Sequence, residues 1–95
     1  MAEEKRFENQ VKRYLDSIGA WYLKTISNGY QRAGTPDLLI CHNGKFIAVE
    51  LKAKKGRATP LQERTLKQIR QSGGLAFLLY PDDFDWFKKL MEEII

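Results

Sequence analysis

The run Asp37-Leu38-Leu39-Ile40-Cys41-His42-Asn43-Gly44-Lys45-Phe46-Ile47-Ala48-Val49-Glu50-Leu51-Lys52 decides the fold. Two apolar stretches flank Asn43-Gly44, a pair suited to a two-residue type I′ turn because both central positions of that turn need positive φ. Residues 37–42 and 45–52 therefore read as strands two and three of an antiparallel hairpin. With His42 opposite Lys45, counting back pairs Leu39 with Ala48 and Asp37 with Glu50. Side chains alternate along a strand, so Asp37, Leu39, Cys41, Phe46, Ala48, Glu50 and Lys52 share one face. Leu38, Ile40, Ile47, Val49 and Leu51 line the other. Both faces are apolar, so both are expected to be covered.

The polar end of this hairpin carries the chemistry. Carboxylates directly across two strands leave the same face with Cβ atoms roughly 4.5–5.5 Å apart, which costs stability unless something neutralises them. A divalent cation would do so, and Lys52 adds an ammonium to the same face. The bland alternative is an ordinary ion pair at the sheet edge, worth little. The chemistry such a cluster suits is phosphodiester hydrolysis: hard carboxylate oxygens hold Mg²⁺ or Mn²⁺, the metal polarises the phosphate and acidifies water, and a lysine steadies the charge that develops.

Working outward, Phe7, Val11, Tyr14, Leu15 and Ile18 recur at helical spacing, and Gly19 stands at the C-terminal cap, giving a first helix over residues 3–18. Residues 21–26 are aromatic and β-branched and read as strand one, followed by a loop to Pro36. After a basic loop, Thr59-Pro60-Leu61-Gln62 combines an N-cap, a first-turn proline and a capping-box glutamine, opening a second helix that ends near Ser72. Gly73-Gly74 breaks it, residues 75–80 form a buried strand, and Pro81-Asp82 opens a last helix with Phe84, Phe87, Leu90, Met91 and Ile94 on its apolar side. The order is αβββαβα. The expected fold is α/β: one domain over residues 1–95, with a mixed central sheet flanked by helices.

Composition narrows the class. At 95 residues there is room for one modest core, and 43% hydrophobic with 29% charged residues is a folded chain's balance. A net charge of +4 favours a polyanionic partner through counterion release. The lone Cys41 excludes an internal disulfide, and there is no Cys/His spacing for structural zinc. No stretch approaches the roughly 20 apolar residues of a membrane helix. The expectation is a cytoplasmic or nucleoid-associated protein that is neither secreted nor membrane-spanning.

Pro36-Asp37 followed by Glu50-Leu51-Lys52 on adjacent strands matches the pattern of the PD-(D/E)XK nuclease superfamily, although that generic motif is weak. The fuller set Gly34-Thr35-Pro36-Asp37-Leu38, Val49-Glu50-Leu51-Lys52-Ala53 and Thr59-Pro60-Leu61-Gln62 resembles the VRR-NUC family. Upstream, Glu8 precedes Val11, Leu15 and Gly19 as that family's helix-one glutamate does, and Leu23-Lys24 with Ser27 resembles its first strand. The resemblance implies a restriction-endonuclease-like fold and a metal-dependent deoxyribonuclease. Its Mg²⁺ or Mn²⁺ would be held by Glu8, Asp37, Glu50 and the Leu51 carbonyl, with Asp37, Glu50 and Lys52 catalytic and Gln62 beside them. It further implies branched, flapped or junction DNA as substrate, work in repair or recombination, and a homodimer. A module that kept the fold and DNA binding but lost turnover is the alternative.

Several residues have two readings. Glu8 borders the buried stripe of the first helix, as a ligand reaching inward would, but an acid there also suits the helix dipole. Gln62 can cap its helix or enter the site. Lys24 is either a solvent-facing strand residue or a phosphate contact. Lys54, Lys55 and Arg57 in one loop, and Ser27 to Arg32 in another, flank the cluster and suit contacts to the DNA backbone, or are simply solvated charge. His42 sits at the turn, far from Asp37, and is assigned no metal.

Overall fold

The computed structural model describes residues 2–26 and 33–94. Its elements are α1 (Ala2–Ser17), β1 (Trp21–Lys24), β2 (Leu38–His42), β3 (Lys45–Leu51), α2 (Pro60–Gln71), β4 (Leu75–Leu79) and α3 (Phe84–Glu93). The order is the αβββαβα expected. One refinement lies at Pro81–Asp83, which form a separate 3₁₀ turn, so that α3 begins at Phe84.

The sheet runs β1-β2-β3-β4, antiparallel across the first two pairs and parallel between β3 and β4. The hairpin turn is type I′ in its dihedral signs, with φ of 50° at Asn43 and 81° at Gly44. The turn sets the register: His42 faces Lys45 and Leu39 faces Ala48. Helix α2 starts with the capping box expected of Thr59 and Gln62.

The two sheet faces are covered unequally. Leu38, Ile40, Ile47, Val49 and Leu51 pack with Leu79 against Phe7, Val11 and Leu15 of α1 and Phe87 and Met91 of α3. Phe87 is fully buried there, and truncating it to Ala is expected to cost about 3–5 kcal/mol. On the other face α2 covers β3 and β4 through Leu66, which packs on Ala48 and Ala76. The same face also carries Trp21 and Leu23 of β1 and Phe46 of β3, 61%, 50% and 44% exposed. Among the described residues no helix is long and apolar enough to cross a membrane.

Candidate metal centre

The hairpin register brings Asp37, at the start of β2, together with Glu50, near the end of β3, where α2 begins. Asp37 lies one residue before β2, and three bonds fix its backbone: Thr25 N–H donates to the Asp37 carbonyl (2.8 Å), and Thr25 Oγ1 donates to the carbonyls of Pro36 (2.8 Å) and Asp37 (3.2 Å). Its side chain is fixed as well, since Asp37 Oδ2 accepts the Leu51 N–H at 2.9 Å. Thr25 is a buried polar residue that the sequence pattern did not single out.

Glu50 is 4% exposed. Its Oε2 accepts from Gln62 Nε2 at 2.9 Å and lies 3.7 Å from Lys52 Nζ. Its Oε1 is buried without a hydrogen-bond partner, the one such side-chain atom among the described residues. Burial, then the Asp37 charge, pushes the Glu50 carboxyl up to about 7, against which Lys52 acts in the opposite sense.

Gln62 fills both roles open to it. Its Oε1 accepts the Thr59 N–H at 2.9 Å, closing the capping box, and also Lys52 Nζ at 3.1 Å. Because the cap fixes which end of the amide is oxygen, the NH₂ end is left to face Glu50. One side chain thereby ties the start of α2 to Glu50 of β3 and to Lys52 just beyond it.

These groups line a cleft of about 360 Å³ together with Glu4, Lys5, Glu8, Lys24 and Leu51. Lys24 is not the solvent-facing residue considered above: it is half-buried, donates to the Thr25 carbonyl at 3.1 Å and lies 3.9 Å from Asp37 Oδ1. Glu8 is buried as expected, but its Oε2 is engaged by Lys12 at 2.7 Å and Lys5 at 3.3 Å. Those two lysines were also unrecognised in the sequence, although both stand at helical spacing from Glu8. Burial raises the Glu8 carboxyl, and the lysines around it outweigh that and lower it. Among the described residues no group of three or more His, Cys, Asp or Glu forms a ready metal cage. The expected trio of carboxylates is thus a close pair, Asp37 and Glu50, with Glu8 on the same cleft but held by lysines.

Lys54, Lys55 and Arg57 are exposed, on a loop anchored by the Tyr80 hydroxyl, which donates to the Gly56 carbonyl at 2.9 Å. The expectations for Ser27 and Arg32 lie outside the described residues. His42 sits at the turn end of the hairpin, away from the cleft.

The residues fit a divalent cation. Asp37 and Glu50 offer hard oxygens, and Glu50 Oε1 is a desolvated acceptor with nothing to accept, a cost that the Lys52 ammonium beside Oε2 leaves in place.

Comparison with known proteins agrees with this fold. A solved structure described as a VRR_NUC domain superposes with a TM-score of 0.77 at 27% identity, covering 98% of each chain. The 1.6 Å structure of Archaeoglobus fulgidus Hjc, a Holliday junction resolvase, superposes with a TM-score of 0.59 at 22% identity, over 81% of this chain and 69% of that one, a likeness of fold. No curated protein matches. The family model of the VRR-NUC domain matches residues 2–83, and the chain belongs to the VRR-NUC family.

Proposed function

We propose that this chain is a metal-dependent DNA endonuclease that hydrolyses phosphodiester bonds, acting on branched, flapped or junction DNA. The observation that carries the proposal is the buried, unpartnered Oε1 of Glu50 beside Asp37, with the Lys52 ammonium at the same cleft. The fold's likeness to a Holliday junction resolvase supports the choice of junction DNA.

Asp37, Glu50 and the Leu51 carbonyl, with Glu8 as a further ligand, would hold Mg²⁺ or Mn²⁺. Such an ion, when bound, supplies a Lewis acid for the phosphate and lowers the pKa of water. Gln62 orients Lys52, whose ammonium steadies the attacking hydroxide and the negative charge that grows on the phosphoryl oxygens. Gln62 also holds Glu50 Oε2, which would leave the unpartnered Oε1 available to a cation. Lys54, Lys55 and Arg57, with Lys24 deeper in the cleft and with Ser27 and Arg32, would engage the DNA backbone.

A second reading, a DNA-binding module without turnover, draws on one observation: Glu8 is taken up by lysines rather than joined to the acidic pair. The deciding experiment is cleavage of labelled single-stranded, duplex, flapped and four-way-junction DNA with Mg²⁺, Mn²⁺ or EDTA, using wild type and folded Glu50→Gln and Lys52→Ala proteins. Metal-dependent cutting lost in both variants is the expected result. Binding without cutting by wild type favours the module, and full activity in both variants refutes the assigned site.

The chain is also proposed to act as a homodimer through the open sheet face. That face presents Trp21, Leu23 and Phe46, and the groove between it and α2 has Lys45 as its only charged lining residue among those described. In a chain of net charge +4, a face so poor in charge favours a second copy over DNA. A monomeric mass by light scattering at working concentration would count against it.

A further inference from the structure

Helix α1 brings two lysines onto one oxygen of Glu8, and they are not equivalent. Lys5 precedes it by three residues, is 65% exposed and lines the cleft; Lys12 follows it by four, is 26% exposed and makes the shorter contact, 2.7 Å against 3.3 Å. Glutamate followed by lysine at this spacing is the favourable order on a helix. The Glu8 side chain is only 10% exposed, so its charge needs a counter-ion. Lys12 also has a second acid within reach. Asp16 is one helical turn further on, beside the Tyr22 hydroxyl, where the influences of Asp16 and Lys12 oppose each other.

We propose that Lys12 is a resident counter-cation for the site, which competes with a divalent metal ion for the Glu8 carboxylate, so that this ion pair weakens the hold of the site on metal. The inference rests on Glu8 being a metal ligand. Without metal, Lys12 neutralises a nearly buried carboxylate and keeps it in place. When an ion arrives, the free energy of the Glu8–Lys12 contact is subtracted from the binding. Asp16 then receives the released ammonium, so that its charge is not stranded.

The test is calorimetric titration of Mn²⁺ alone, without DNA, into wild type, Lys12→Gln, Lys12→Met as a second neutral variant, Glu8→Gln and Glu8→Gln/Lys12→Gln. Arg13→Gln is the control, since it removes the same charge from an exposed neighbour. A partly buried pair of this kind predicts about two- to fivefold tighter Mn²⁺ binding in both Lys12 variants. No change is expected from Arg13→Gln, nor from Lys12→Gln once Glu8 is Gln. Unchanged or weaker binding in the Lys12 variants overturns the proposal, as does an equal gain in Arg13→Gln. Loss of Mn²⁺ binding in wild type would overturn the metal reading and Lys12's role together, whereas normal wild-type binding with an indifferent Lys12 would overturn only the latter.

Discussion

Glu50→Gln is expected to make the metal-free protein more stable at alkaline pH while removing its proposed metal ligand. The ordinary Glu value is 4.5, and burial followed by Asp37 raises it to about 7 in the folded chain. A carboxyl with a raised folded value binds its proton more tightly in the native state. It therefore contributes stability that is fully present below 4.5 and is lost as pH climbs towards about 7. The span from 4.5 to about 7, at about 1.4 kcal/mol per pH unit, sets an upper figure of about 3 kcal/mol. Asp37 is 30% exposed, so solvent screening reduces the effect to about 2 kcal/mol. The neutral amide escapes this loss: its oxygen can still accept from Gln62, and its NH₂ can donate to Asp37, satisfying the position where Oε1 has no partner.

Urea unfolding in EDTA at about pH 5 and about pH 8 reads the effect, and the wild-type minus variant difference isolates Glu50 from other titrating groups. Wild type should lose about 2 kcal/mol relative to Glu50→Gln between the two conditions. A variant whose stability tracks wild type across that range would refute the argument, because it would mean that Glu50 is ionised at no cost. Saturating Mn²⁺ should reverse the order, since only wild type then gains from binding.

Gln62→Glu should preserve helix α2, because glutamate closes a capping box equally well, while placing a third carboxylate beside Asp37 and Glu50 where an amide now donates to Glu50. Circular dichroism should be unchanged and DNA cleavage should fall at least about tenfold, the loss expected for removing a supporting contact to a ligand. Gly34→Ala should destabilise by about 1–3 kcal/mol in urea. Gly34 has φ of +82°, and a Cβ there would meet Leu61 Cγ at 2.9 Å and the Leu61 carbonyl oxygen at 3.1 Å, pushing the approach to Asp37 away from α2.

Features governed by local rules were legible before the fold was known. A two-residue turn dictates register, so Asn43-Gly44 was enough to pair Asp37 with Glu50 and to place Lys52 on their face. Thr59 and Gln62 announced the start of α2 because capping is confined to one turn. The pairing of β1 with β2 had no such rule. Its connection is long, and nothing in the spacing said that Thr25 would meet Asp37 or that Lys24 would be drawn into the cleft. Glu8 was placed correctly at the border of the buried stripe. Helical spacing also put Lys5 and Lys12 beside it, but whether its carboxylate would turn to those lysines or to Asp37 and Glu50 depended on how α1 lies across the sheet, which periodicity does not determine.

The position of the charged cluster follows from the topology. Strand β3 is antiparallel to β2 and parallel to β4, so a crossover through α2 must leave from the β3 end at which β2 begins. That geometry gathers Asp37 at the start of β2, Glu50 near the end of β3 and Gln62 in the first turn of α2, three segments that a simple hairpin stack would not bring together. The like-charge pair there is frustrated in the folded chain, since Glu50 gives up solvation and faces Asp37 with one oxygen unsatisfied. Elsewhere in the hairpin the same strands bury only apolar side chains, and substitutions to relieve the strain, such as Glu50→Gln, are chemically simple. A fold that retains this arrangement at its crossover point therefore sustains a local cost of about 2 kcal/mol that a bound cation would convert into binding free energy.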